Sequence, residues 1–158
     1  MDLTITSAAK DDYELMCDMI DALDDFESTL TPILSNSTAR RLEVRKHVRK
    51  NFSDKNTKYF IAKVNSQPIG MVLAKFNSDV RQKFTQRKVG TIEKLFVRET
   101  HREKGIATKL INAAKGWLRE KGAKWFEASV CVNNFASIKT LEKSGFKPYS
   151  YIMHCYKF

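Results

Sequence analysis

The stretch Thr91–Lys109, TIEKLFVRETHREKGIATK, constrains this chain more than any other. It opens on a strand-like run, Thr91–Val97, rich in β-branched and aromatic residues. It passes through a basic loop to Gly105. Beyond that glycine, Ile106, Leu110, Ile111, Ala114, Trp117 and Leu118 recur at helical spacing as far as Gly122. A strand, a small-residue loop and a helix in that order set unpaired amide N–H groups and the positive end of a helix dipole beside the strand's end. Such a construction suits an anion, a phosphate above all.

The flanking sequence supplies the rest of a sheet and its cover. Leu3–Thr6 alternates like a short strand. Tyr13, Met16, Ile20 and Leu23 then fall at helical spacing, with Asp11 or Asp12 as N-cap. Residues 29–37, around Pro32, read as a loop. A second helix follows, capped by Ser37 or Thr38. Its apolar line is Leu42, Val44, Val48 and Phe52, and Arg40, Arg41, Arg45, Lys46, Arg49 and Lys50 cover the remainder. Lys58–Val64 and Ile69–Phe76 read as strands joined by the hairpin signal NSQP. A polar connection, Asn77–Lys88, leads to the strand Gly90–Val97. Lys124–Val132 is a further strand, a short helix ends at Gly145, and PYSYIMHCYKF closes as a strand. No repeat, low-complexity tract or linker interrupts residues 1–158. The expectation is a single α/β (α+β) domain with a mixed, mostly antiparallel sheet of about six to seven strands and about four flanking helices.

Composition excludes several classes. At 158 residues the chain can bury a core without disulfides or a metal. Cys17, Cys131 and Cys155 are odd in number and form no Cys-x-x-Cys pair, as expected for reduced thiols in the cytoplasm. His47, His101 and His154 are scattered, so no metal site is expected. The first residues lack a basic segment leading into an apolar one, and no run approaches a membrane span; a cytoplasmic location away from membranes is the expectation.

The net charge of +10 is unevenly laid out. Residues 1–27 hold one lysine against nine acids, net −8, and residues 28–158 hold 27 basic residues against nine acids, net +18. That separation either presents opposite signs to two ligands or is solvated surface. The helix RRLEVRKHVRK raises nucleic acid as a partner, yet no zinc pattern, RNP-like aromatic motif or helix-turn-helix accompanies it, so no nucleic-acid partner is expected.

Arg102-x-x-Gly105-x-Ala107 resembles the acetyl-CoA pyrophosphate loop of the GNAT superfamily of N-acetyltransferases. The resemblance runs along the whole chain and ends in Asn134-x-x-Ser137 and Glu142-Lys143-x-Gly145-Phe146. It implies acetyl-CoA (coenzyme A) as cofactor. The backbone of Leu95, Phe96 and Val97 would bond the pantetheine arm. Arg102, Lys104, Gly105, Ile106, Ala107 and Thr108 would hold the pyrophosphate, which needs glycine-like room to approach backbone amides. Asn134, with Ser137 one turn beyond, would bond the arm, and Lys143 or Lys139 would reach the adenosine 3′-phosphate.

The resemblance also implies the chemistry. Acetyl transfer to an amine needs a base, because a lysine-like amine has a pKa near ~10.4. Glu93 stands where similar enzymes carry a glutamate near the thioester; strict alternation would put it on one face with Thr91, Leu95 and Val97. Its other reading is an ion pair with a neighbouring cation. The usual tyrosine that protonates the departing thiolate is replaced by Leu141, leaving Tyr149, Tyr151 or water. No Cys–His pair is evident, so direct attack in a ternary complex is expected, with Cys131 the only covalent candidate. In similar enzymes the first two helices line the acceptor side, and here Asp18, Asp21, Asp24, Asp25 and Glu27 concentrate negative charge there. A polycationic small molecule, such as a polyamine or an aminoglycoside, is the expected acceptor. A protein or peptide amine, and a non-catalytic acetyl-CoA-binding role, are the alternatives. A homodimer is left open.

Overall fold

The computed structural model describes residues 2–31, 37–77 and 88–155. Strands β1 (Leu3–Ser7), β2 (Thr57–Val64), β3 (Gln67–Asn77), β4 (Val89–Val97) and β5 (Trp125–Ala128) form one sheet in sequential order. Neighbours are antiparallel except β4 and β5, which run parallel. Helices α1 (Tyr13–Ser28) and α2 (Thr38–Ser53) cover one face, α3 (Ile106–Glu120) covers the other, and α4 (Phe135–Lys143) follows β5. The loop around Pro32 and most of the connection after Asn77 lie outside the described residues. No described helix is long and apolar enough to cross a membrane.

Among the described residues five strands stand where six to seven were expected. β5 takes only the first part of Lys124–Val132, because the chain leaves the sheet at Ala128 to enter α4. Residues 148–155 of the expected closing strand form none. Four of their large side chains stand in solvent, so no buried face fixes them.

Two apolar layers sandwich the sheet. Met16, Cys17, Met19, Ile20 and Leu23 of α1 and Val44 and Val48 of α2 pack on Tyr59, Ile61, Met71, Leu73 and Phe96. On the other side Ile106, Leu110, Ala114 and Leu118 of α3 meet Val72, Ala74, Ile92 and Val97. Leu42 departs from its expected line and is 58% exposed. It lies two residues from Val44, about 200° around the helix, and therefore points away from the core. Ser37 is the N-cap of α2; its Oγ accepts the Arg40 N–H at 3.2 Å.

Local backbone devices then set β3 and β4. Asn65 and Ser66 both have positive φ (48° and 67°), the conformation a two-residue hairpin turn needs. β3 consequently begins at Gln67, two residues before the expected Ile69. It accommodates Pro68 because the β2–β3 register shifts between Ala62 and Lys63, opposite that proline. On β4, Lys94 pairs with Leu73 and Ile92 with Ala74, which leaves Glu93 as an extra residue, a β-bulge. The bulge overturns the expected alternation. Ile92, Leu95 and Val97 pack toward α3, whereas Lys94 and Phe96 face α1.

Gly70 lies opposite Val97, and a Cβ there would sit 2.7 Å from the Phe96 carbonyl oxygen and 3.3 Å from Val97 Cα. These are backbone atoms and cannot swing aside. Gly70→Ala should cost about 1–3 kcal/mol in urea unfolding; an unchanged midpoint would show that β3 and β4 separate freely here.

Candidate active site

β5 pairs with β4 only from Val89 to Ile92. From Glu93 onward β4 keeps β3 on one side, and among the described residues no strand lies on the other. The resulting cleft is lined by Leu23 and Glu27 of α1, by Ile92, Glu93 and Leu95 of β4, by Ala128, Ser129 and Val130, and by Asn134, Ser137 and Leu141 of α4. The side chains of Phe96 and Val97 are buried in opposite core layers, so only their backbone is left for a ligand. Open strand edges of this kind take up an extended ligand as an added strand.

At the far end of β4 a short 3₁₀ turn, Glu99–His101, leads to the N-terminus of α3. Its N-cap is Gly105, left-handed at φ +73°, with no atom within 4 Å of where a Cβ would be. No side chain caps the helix. The ladder starts with the Lys109 N–H donating to the Gly105 oxygen at 3.1 Å, which leaves the amides of Ile106, Ala107 and Thr108 ahead of it. Ile106 is buried in the core and offers only its backbone. Glu103 also adopts a left-handed conformation, φ +62°. An open glycine, uncapped amides and the dipole's positive end together fit a diphosphate.

Both cations of the loop bond to backbone carbonyls. Arg102 Nε donates to the Val97 carbonyl at 3.1 Å, and its guanidinium lies 5.0 Å from the centre of the Phe26 ring. Lys104 Nζ donates to the Thr100 carbonyl at 3.1 Å. A phosphate, offering charge-assisted bonds, would compete for both. Gly105→Val would strain the left-handed position by about 1–2 kcal/mol and fill the open space. Coenzyme A affinity by calorimetry should drop at least ~10-fold on those grounds; unchanged affinity would remove this loop from the site.

The carboxylates of α1 divide into two groups. Asp24 accepts from Arg40 Nε at 2.8 Å and from Lys94 Nζ at 3.1 Å. Asp21 pairs with Arg41 (3.5 Å) and Arg45 (3.3 Å), and Asp25 with Arg41 (3.3 Å). The acids of α1 and the bases of α2 thus largely neutralise one another. The charge separation along the sequence is to that extent an internal contact, with Asp21, Asp24 and Asp25 all engaged in it. Glu27 differs. It is partly buried on the cleft wall and makes no ion pair among the described residues. Burial pushes its carboxyl above the usual range, against the pull of Lys94 and with a push from Asp24. Glu93 faces Lys75 Nζ at 3.7 Å, too far for a hydrogen bond, so the carboxylate remains available to the cleft.

Residues 20–146 match the model of the acetyltransferase (GNAT) family. The chain belongs to that family. An uncharacterized N-acetyltransferase of Methanocaldococcus jannaschii is 32% identical over 91 residues, which is 56% of this chain and only 38% of that relative's length. Among solved structures, an aminoglycoside N-acetyltransferase in complex with the bisubstrate analogue CoA-S-monomethyl-acetylneamine superposes with a TM-score of 0.75 at 20% identity, covering 100% of this chain and 99% of that one. An aminoglycoside antibiotic 6′-N-acetyltransferase of Acinetobacter haemolyticus gives 0.73 at 21% identity, with 98% of each chain covered. A Bacillus halodurans protein gives 0.85 at 15% identity, covering 98% of this chain and 99% of that one. At such identities the likeness is one of fold.

In this GNAT chain Glu93, Leu95, Asn134 and Ser137 meet in the cleft, and Arg102 to Thr108 gather at the end of α3. Asn134 also has a structural duty: its Oδ1 caps α4 by accepting the Ser137 N–H at 3.1 Å, which leaves its NH₂ for a ligand. Lys139 and Lys143 are exposed on α4. Leu141 is buried at the cleft and offers no proton. Tyr149 and Tyr151, the substitutes the sequence offered, are exposed and outside the cleft lining, with the Tyr149 ring edge-on to Trp125. Tyr59 is no donor either. Its hydroxyl accepts from Asn51 at 2.8 Å in the core, and burial pushes it up to about 12. Of the five acids that the sequence grouped on the acceptor side, Glu27 is the one in the cleft lining; its i, i+4 spacing from Leu23 puts both on one face of α1. Ser129 and Val130, which also line the cleft, were not singled out in the sequence.

Proposed function

We propose that this chain transfers the acetyl group of acetyl-CoA to a primary amine of a cationic small molecule, by direct attack in a ternary complex. The observation that carries the reading is the convergence of an open β4 edge with two carboxylates, Glu27 and Glu93, in one cleft. Acetyl-CoA supplies the acetyl as an activated thioester. The backbone of Leu95–Val97 orders the pantetheine arm, Arg102–Thr108 take the pyrophosphate, Asn134 and Ser137 bond the arm, and Lys143 serves the 3′-phosphate. Glu93 accepts the amine's proton, directly or through water. Glu27, across the cleft, holds a cationic part of the acceptor. Leu141 leaves protonation of the leaving thiolate to solvent. Support for a small amine comes from the aminoglycoside N-acetyltransferases that share the fold, one of them solved with a CoA–neamine analogue.

A thiol-release screen over polyamines, aminoglycosides, amino acids and lysine-rich peptides tests this, with the small cationic amines expected to give the highest kcat/KM. Glu27→Gln should raise KM for them ~10-fold, the worth of one charge-assisted contact, and leave coenzyme A affinity alone. The pH sign follows from the raised carboxyl: as pH falls through its pKa, Glu27 loses charge and KM rises, a dependence the glutamine variant should lack. Thiol release only with peptides would overturn the acceptor, and coenzyme A binding without release for any amine would overturn catalysis.

A further inference from the structure

Arg102 keeps a charge that no acid among the described residues neutralises. Arg40, Arg41 and Arg45 of α2 are answered by Asp21, Asp24 and Asp25 of α1, but Arg102 has no place in that network or in any other ion pair among the described residues. Two neutral groups hold it instead. Its Nε donates to the Val97 carbonyl at 3.1 Å, and its guanidinium lies over the Phe26 ring, 5.0 Å from the centre. Phe26 stands between Asp25 and Glu27, so α1 sets a ring, with acids on either side of it in sequence, against this cation.

A neutral seat suits an arginine that has to meet an anion. A carboxylate partner would cancel the charge and repel an arriving phosphate. A ring attracts the cation through its π face and leaves the guanidinium edge for paired hydrogen bonds to phosphate oxygens. The ring is itself anchored. Phe26 is partly buried, and its carbonyl accepts the N–H and the Oγ1 hydroxyl of Thr29 at 3.0 and 2.7 Å, which ties down the end of α1. We propose that Phe26 is a positioning residue for the cofactor's diphosphate, confining the Arg102 side chain to the posture from which it bonds a phosphate oxygen. The proposal rests on the reading that Arg102–Thr108 receive the diphosphate. A side chain already confined by a ring has less freedom left to lose on binding. The ring contact also outlasts the exchange of partners. When a phosphate oxygen takes the Nε–H, the guanidinium face keeps Phe26, and the Val97 carbonyl is released to the pantetheine arm.

Calorimetry of coenzyme A binding to the full chain and four variants tests this without reference to catalysis. Phe26→Leu should weaken binding about 5-fold, and Phe26→Tyr, which keeps a ring, should stay within about 2-fold of the parent. In an Arg102→Met background, Phe26→Leu should cost nothing further, because the ring then has no cation to hold. Equal losses from Phe26→Leu with and without Arg102 would make the ring mere packing and overturn the proposal. A loss in Arg102→Met with none in Phe26→Leu would overturn this proposal alone. Unchanged affinity in Arg102→Met would overturn it together with the assignment of the diphosphate to Arg102.

Discussion

Glu93→Gln should lower kcat about 100-fold or more at neutral pH and leave coenzyme A affinity unchanged. Near pH 7 an amine of pKa ~10.4 is almost wholly protonated, and its lone pair is free only after a base takes the proton. The loss should narrow as pH climbs toward that value, because solvent then does the work of the carboxylate. The bulge makes Glu93 suited to this. As the extra residue on β4 it stands next to Lys94 with no partner residue on β3, at the point where β5 stops. The rival reading, an ion pair, has a partner in Lys75, but both side chains are about a third exposed (37% and 29%) and the 3.7 Å separation is loose. Such pairs contribute ~0–1 kcal/mol. Lys75→Met should therefore keep kcat within a few-fold. Equal, pH-independent losses in both variants would make Glu93 structural.

What the sequence could show of this site depended on whether the cause was local. The glycine at the start of α3, the cap at Ser37 and the amphipathic line of α3 are each decided within a few residues, and each is where periodicity and capping rules put it. The bulge at Glu93 was hidden because it exists only against β3; one extra residue on one strand leaves no mark on the alternation until the register is known. The pairing of α1 with α2 was hidden for the same reason. Their charges read as two separate blocks, and only the packing of one helix on the other turns them into mutual partners. The segment 148–155 has the pattern of a strand, but its large side chains Tyr149, Tyr151, Ile152 and Met153 stand in solvent, so no buried face fixes the alternation.

Asp24→Ala should cost about 3 kcal/mol in urea unfolding. The carboxylate is 8% exposed and joins three elements, taking Arg40 of α2 on one oxygen and Lys94 of β4 on the other. Removing the acid from a buried pair leaves desolvated cations behind, typically a loss of ~3–5 kcal/mol. Here Lys94 and Arg40 keep 25% and 42% side-chain exposure and recover some hydration, which sets the expectation at the lower end. A double-mutant cycle of Asp24→Ala with Lys94→Met should return a coupling of at least ~1 kcal/mol, since the two groups share a contact. A loss under ~1 kcal/mol for the single change would mean that the network is only a solvated surface. The same geometry governs how acceptor charge is probed. Reversing Asp21, Asp24 and Asp25 to lysine would set three new cations among Arg40, Arg41, Arg45 and Lys94, and the chain should fail to fold before any KM is read. Glu27, in the cleft and outside that network, is where acceptor recognition can be changed while the fold stands.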